Sequence, residues 1–279
     1  RVKWVCRSKH RNKGTSIKAK IDMFKGRRLL IATMHQKQQV IKPLMEQKIG
    51  VKCFIPKDFN TDLYGMFSGE VPRELSAMDT VRKKCLEAME REHCNLGIAS
   101  EGSFGPHPSL YFANANEEIL ILIDLKNNLE IVHIEWSLDT NFNGKYITNE
   151  AELMEFAQQV KFPSHGIILK KSKAAQKDII KGIVQQEELL RCYKQIMITH
   201  KKAYVETDMR AMYNPTRMKV IETATENLIA KINSCCPLCK HPGFDVSGVV
   251  RGLKCSQCYQ PTKSILSHIY QCKGCNYKE

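Results

Sequence analysis

Three C-x-x-C pairs and one glycine-bearing stretch hold most of the chemistry this chain can offer. The pairs are Cys236-Pro-Leu-Cys239, Cys255-Ser-Gln-Cys258 and Cys272-Lys-Gly-Cys275, separated by 15 and 13 residues. Two residues between thiolates let both sulfurs face one ion from a tight knuckle. Two such knuckles brought together by a hairpin give a tetrahedral four-thiolate zinc site. Six cysteines exceed one site and fall short of two; His241 and His268 either complete a second or are surface side chains. Three clustered pairs on a small loop-rich tail need a metal to fold, which favours structural zinc over redox chemistry. The other stretch, LGIASEGSFGPHP at Leu96–Pro108, is an apolar run that breaks at Ser100 into a carboxylate, two glycines, two prolines and a histidine. A buried strand followed by a stiff loop would set Glu101 and His107, with Ser103 between them, at the carboxyl edge of a sheet. Open α/β folds place their ligands there. The alternative is a tight turn whose carboxylate binds backbone N–H groups.

The elements that must position these residues follow from hydrophobic periodicity. Arg28–Thr33 and Val51–Ile55 read as strands, with a helix over Gln36–Lys48 between them. A long polar connection, Lys57–Leu75, precedes a helix that Ser76 caps and that runs to about Glu92. After the Leu96 strand, Glu117–Leu125 and Leu129–Leu138 make a hairpin across Asn127-Asn128. Thr148 caps a helix over Asn149–Val160, Pro163-Ser164-His165-Gly166 turns into a strand at Ile167–Lys170, and a helix covers Gln176–Met197. Tyr204–Asp208 is a short strand, and Asn214 with Pro215 opens a final helix to about Asn233. Strands alternating with helices around one hairpin predict an α/β fold with a mixed central sheet flanked by helices and a small C-terminal zinc-ribbon-like module.

Charge divides the chain the same way. The 279 residues carry a net +14, but residues 1–28 hold eleven Lys/Arg against one Asp, and residues 235–279 hold six against two acids. The stretch between is neutral. We therefore expect a basic tail at 1–28, a core domain at 29–234 and the cysteine module at 235–279. A nucleic-acid partner, if there is one, belongs to the basic tail. No run approaches the roughly 18 apolar residues of a membrane span, and the first residues lack the apolar core of a secretory signal. Cysteines divided between scattered thiols and C-x-x-C pairs point to metal and a reducing, cytoplasmic compartment.

The blocks IATMHQKQQVI, SEGSFGPHPS, FPSHG, ETDMRAMYNPTRM and the CPLC tail resemble a bacterial family described as a domain of unknown function with a C-terminal zinc ribbon. The resemblance runs from Leu29 to the C-terminus. In layout, the N-terminal third is also similar to the inosine/xanthosine triphosphate pyrophosphatases. Those enzymes show a strand ending in an Ala-Thr-x-Asn-x-x-Lys turn, then an acidic loop, a basic helix, and a strand ending in an acidic-Gly turn. The counterparts here are Ala32-Thr33 with Lys37, Glu70 in SGEVP, Arg82/Lys83/Lys84, and Glu101-Gly102. His35 replaces the Asn, Lys37 comes one residue early, Ser100 stands where a second acid would, and the ribbon has no counterpart. The resemblance implies a metal-dependent hydrolase of a nucleotide-like phosphate, with Lys37 and the amides before the first helix on phosphates. Glu70 and Glu101 would hold Mg²⁺ or Mn²⁺, with Glu101 orienting water. His35 and Ser103 join the substrate-binding set. Asp124 and the Glu206/Asp208 pair are further carboxylates at strand ends. Asp208, Arg210, Asn214 and Arg217 suit phosphate or ribose, or else form a helix cap with surface ion pairs. His107 and His165 are acid–base candidates, or hydrogen-bonded loop histidines. The competing class is a non-catalytic module in which ribbon and tail bind nucleic acid or protein.

Overall fold

The computed structural model describes residues 23–57, 59–65, 70 and 72–279. Most of the expected basic tail therefore lies outside the described residues. Its last part belongs to the fold: Phe24 is buried, and Arg27 binds Asp124 at 2.6 and 2.7 Å.

Leu29 and Ile31 point to one face of β1 (Arg28–Ala32), Leu30 and Ala32 to the other, and all four are buried. A strand that is apolar on both faces belongs in a sheet covered on both sides. β2 (Lys52–Phe54) and β3 (Leu96–Pro106) flank β1 in parallel. β4 (Asn114–Asp124) and β5 (Leu129–Ser137) continue antiparallel, giving the mixed order β2-β1-β3-β4-β5. Helices α1 (Gln38–Ile49) and α5 (Pro215–Asn233) bury Ile41, Met45, Ile221 and Leu228 on the Leu29 face. Helix α2 (Ala77–Arg91) covers the opposite face with Val81, Cys85 and Ala88. The chain leaves β1 through α1 on one face and returns to β3 through α2 on the other. The carboxyl ends of β1 and β3 thus form the switch point at which such sheets leave a crevice.

The expected core holds a second sheet as well. β6 (Gly144–Ile147), β7 (Ile167–Lys170), β8 (Ile180–Ile183) and β9 (Ala203–Thr207) lie in the order β6-β9-β7-β8, antiparallel throughout. α3 (Glu150–Gln159) and α4 (Gln186–Thr199) pack Leu153, Phe156 and Leu189 onto Ile147, Leu169 and Val205. The helix expected from Gln176 starts only at Gln186, because Ile180–Ile183 form an edge strand and Gly182 has φ 74. Nor is Ser100–Pro106 a loop: it continues β3, paired residue by residue with β4 as far as Pro106 and Asn114. Ser76 and Asn214 cap their helices as expected, whereas α3 is capped by Asn149, one residue beyond Thr148.

The cysteine module is a two-stranded ribbon of β10 (Asp245–Arg251) and β11 (Ile265–Gln271). Lys231 to Asp245 at 2.5 Å and Lys273 to the carbonyl of Glu130 at 3.4 Å tie it to the core. No helix among the described residues is long and apolar enough to cross a membrane.

Candidate functional site

Alternation along β3 sends Ser100 and Gly102 to the α1/α5 face and Glu101 to the α2 face. On the first face, the Lys37 ammonium donates to Ser100 Oγ at 3.0 Å and to Glu118 Oε1 at 3.1 Å. Glu118 sits on β4 directly opposite Gly102 and is fully buried. Arg217, from the first turn of α5, closes on Glu118 through Nε and Nη2, each at 3.2 Å, and donates Nη1 to the carbonyl of Met209 at 2.5 Å. One carboxylate therefore anchors two cations. Burial alone would raise the Glu118 pKa, but Arg217 and Lys37 outweigh it and hold the group ionised. Lys37 shows the opposite balance. Burial lowers it from 10.5 to about 8 against the pull of Glu118, with Arg217 and Lys84 adding repulsion.

On the other face, Lys84 donates to Glu101 Oε2 at 2.7 Å and to the carbonyl of Ser100 at 2.6 Å. Arg73 approaches Glu101 at 3.6 Å and donates to Ser103 Oγ at 3.0 Å. Burial works against ionisation of Glu101, yet Lys84 and Lys37 keep its pKa below the ordinary value. Of the three cationic positions singled out on α2, only Lys84 reaches the site. It lies three residues after Val81 and four before Ala88 on the buried stripe, while Arg82 binds Glu130 and Lys83 approaches Glu87.

The second sheet supplies the opposite wall. After β9, Asp208 is fully buried, accepts from Gly182 N at 3.0 Å and binds Arg210 Nη2 at 2.6 Å. Together Thr33, His35, Lys37, Lys84, Glu101 and Asp208 line one cleft with Arg210, Arg217, Ser100 and Asp62, and it is narrow and open to solvent at its mouth. His35 has φ 61 and faces Asp62 Oδ1 at 3.4 Å, an approach that depresses the Asp62 pKa. Two consecutive non-glycine residues with positive φ, His35 and Gln36, form the bend by which β1 hands the chain to Lys37.

Other singled-out residues stand elsewhere. His107 accepts the N–H groups of Ser109 and Leu110 on Nδ1, both at 3.1 Å, and packs edge-on against Trp136. Glu70 binds Lys181 of β8 and is not among the lining residues. Asn214 caps α5 and donates to Asn141 Oδ1, and Glu206 binds Lys170 at 2.6 Å. Asp124 lies at the opposite edge of the sheet beside Arg27, because β4 runs antiparallel to β3. His165 bonds Thr216 Oγ1 at 2.9 Å. Sequence reasoning missed Glu118 and Asp62. The signal for Glu118 was present: it shares the strand face of Leu120 and Leu122, where a carboxylate needs a buried partner.

Gly102 permits the Glu118–Arg217 contact. A methyl group there would collide with Arg217 Nη2 and come within 2.7 Å of Glu118 Oε2. Gly102→Ala is expected to cost about 1–3 kcal/mol of stability, as overpacking does. Chemical denaturation would read this, and an unchanged midpoint would contradict it.

The cysteines divide into four and two. The sulfurs of Cys236, Cys239, Cys272 and Cys275 all lie within 4.8 Å of one another, with Cys236–Cys275 at 3.7 Å and Cys239–Cys272 at 3.5 Å. The edge of a zinc–thiolate tetrahedron is roughly 3.8 Å, from a bond of about 2.3 Å. These four cysteines are thus positioned to bind a metal ion such as zinc. Amide N–H groups of Gly274 and Cys275 point at the Cys272 sulfur, as thiolate ligands require. Cys255 and Cys258 are not in the cluster; they sit in the loop joining β10 to β11.

No curated protein and no solved structure matches the chain. The family model for DUF6671, a domain of unknown function, matches residues 84–279. That span holds Lys84, Glu101, Glu118, Asp208, Arg217 and the four clustered cysteines, and the chain belongs to this family.

Proposed function

We propose that the cleft binds a nucleotide-like phosphate and hydrolyses it with the help of a divalent cation. The observation that carries this reading is the convergence of Lys37, Lys84, Arg210 and Arg217 with Asp62, Glu101 and Asp208 on one crevice at the β1/β3 switch point. Lys37 and Arg217 are held by Glu118 from behind and bring positive charge to the cleft wall, which favours an anionic ligand in a mostly desolvated setting. Arg210, stacked over Tyr213 at 4.6 Å and aligned by Asp208, adds a planar donor at the opposite wall. Mg²⁺ or Mn²⁺, held by one or two carboxylates and the substrate phosphates, would supply charge neutralisation and water activation. Glu101 is the carboxylate best placed for it, ionised and steered by Lys84. The four-thiolate site, closed on all sides by cysteines, is scaffolding for the ribbon.

The test is a panel of nucleoside triphosphates with Mg²⁺ or Mn²⁺, followed for pyrophosphate and phosphate release. Turnover of at least one nucleotide is expected; no release from any of them, with no thermal stabilisation by pyrophosphate, would overturn the reading.

A pH dependence follows from Lys37. Since burial brings its pKa to about 8, its positive charge is largely present at pH 7 and lost as pH rises through that value. Affinity for pyrophosphate is therefore expected to fall between pH 7 and 9, and Lys37→Met should flatten that step in a titration by calorimetry. The same group shifts stability the other way. The unfolded chain binds this proton more tightly, so the contribution of Lys37 to stability rises from about pH 8 towards 10.5.

A further inference from the structure

The Cys255–Cys258 loop has the backbone of a metal knuckle but none of the other ligands. In all three C-x-x-C segments the first cysteine's N–H donates to a carbonyl five residues on: Cys236 to His241 at 2.9 Å, Cys255 to Gln260 at 2.9 Å, Cys272 to Tyr277 at 2.8 Å. In each, the first cysteine's carbonyl accepts from the residue four positions on, at 3.0, 3.0 and 2.9 Å. That fourth residue is left-handed every time, with φ 63 at Lys240, 58 at Tyr259 and 60 at Asn276. None of the three is glycine, so each pays a conformational cost that the fold maintains. In the middle segment the amides of Gln257 and Cys258 point at the Cys255 sulfur, as amides do in the two ligand-bearing knuckles.

Two features of its surroundings say how the half-site is filled. It lies at the Arg251/Ile265 end of the ribbon, while the four-cysteine cluster lies at the Asp245/Gln271 end. Seven strand residues separate the ends by roughly 20 Å, so the two sites cannot share ligands. Among the described residues no histidine, cysteine or carboxylate joins the pair: His241 lies against Gly274 in the cluster, and His268 pairs with Val249 along the ribbon. The tip is also unusually apolar for an outlying two-stranded ribbon. Tyr259 is 72 %, Leu266 54 % and Leu253 47 % exposed, with Val250 and Ile265 beside them. Arg251, Lys254 and Lys263 at this end complement the net −2 charge of a four-thiolate zinc.

We propose that Cys255 and Cys258 are half of a second four-thiolate metal site, completed by the same two cysteines of a second copy of this chain. A two-fold axis through the ion supplies two identical knuckles, satisfies tetrahedral geometry and covers the exposed apolar residues of both tips. Binding releases the thiol protons to solvent and involves no redox step.

The full-length chain, loaded with zinc and freed of excess metal, would be measured for zinc content and for molar mass by light scattering. A dimer carrying about 1.5 zinc per chain is expected, one ion shared and one in each cluster. Cys255→Ser/Cys258→Ser should be a monomer with one zinc per chain. Cobalt substitution should show a thiolate charge-transfer band that falls by about a third in that variant. A wild-type monomer with one or two zinc per chain would overturn the proposal. So would a dimer that keeps its mass and zinc content in the double variant. Where the variant loses all zinc through misfolding, Cys255→Ala/Cys258→Ala, read by the same two measurements, decides in the same way. Neither measurement depends on catalysis, so failure here leaves the hydrolase reading untouched and the converse holds.

Discussion

Glu118→Ala is expected to lower the unfolding free energy by about 3–5 kcal/mol, the largest loss among single substitutions around the cleft. The carboxylate is fully buried and is the anion that Lys37 and Arg217 share. Its removal treats the two cations differently. Lys37 can respond by shedding its proton, since Glu118 is the main influence keeping its pKa as high as about 8. Arg217 cannot deprotonate and is itself almost completely buried. Most of the cost therefore falls on Arg217, whose guanidinium also donates to the carbonyl of Met209 and lies 5.2 Å from the Phe104 ring. Denaturant titration of Glu118→Ala, Arg217→Met and the double variant separates these contributions. The double variant should recover much of the loss, because removing both charges costs less than stranding one. A loss below about 1 kcal/mol for Glu118→Ala would show that the pair is solvated in solution. The pH dependence has a defined sign: the folded-state pKa of Glu118 is depressed, so its contribution is present above the ordinary carboxylate range. That contribution is lost as pH falls through the folded value.

Under the proposed hydrolase reading, Glu101→Gln is expected to reduce nucleotide hydrolysis by about 10²–10³-fold or more while leaving the fold intact. Glutamine preserves the shape and can still accept from Lys84, but it contributes no charge to a divalent cation. Lys84 then loses its counter-ion while retaining the Ser100 carbonyl at 2.6 Å, so a stability loss of about 1–3 kcal/mol accompanies the substitution. The diagnostic readout is activity against cation concentration. A variant impaired only through stability would regain its rate on cooling, whereas one lacking a cation ligand would stay slow and need more Mg²⁺. Unchanged pyrophosphate release from every tested nucleotide would remove Glu101 from the mechanism.

Local signals placed most elements because they are decided within a few residues. Ser76 and Asn214 cap helices by bonding amides three positions on, and Asn214-Pro215 suits the start of a helix far better than its interior. The run ILILI of β4 is apolar on both faces and forms an interior strand of a covered sheet, between β3 and β5. Signals were weaker where a partner decides the conformation. Ser100–Pro106 carries loop residues, yet the ladder with β4 holds it extended, and its glycine at 102 is there for the close approach of Arg217. Ile180–Ile183 lies next to a helical pattern and becomes a strand only because β7 offers an edge.

The candidate site divides along the same line. The residue types and the knuckle spacing alone determined that thiolates would gather at the C-terminus and that a carboxylate would follow Ser100, because those are properties of short segments. Which four cysteines come close enough to hold an ion, and that Lys84 rather than Lys83 meets Glu101, were decided by the register of a ribbon and by the face a helix buries. Tertiary structure alone seated Glu118 between Lys37 and Arg217, residues 81 and 99 positions away, and moved His107 to a turn beside Trp136. Buried charge is paid for only when an opposite charge arrives from elsewhere in the chain, and that arrival depends on how sheets and helices stack.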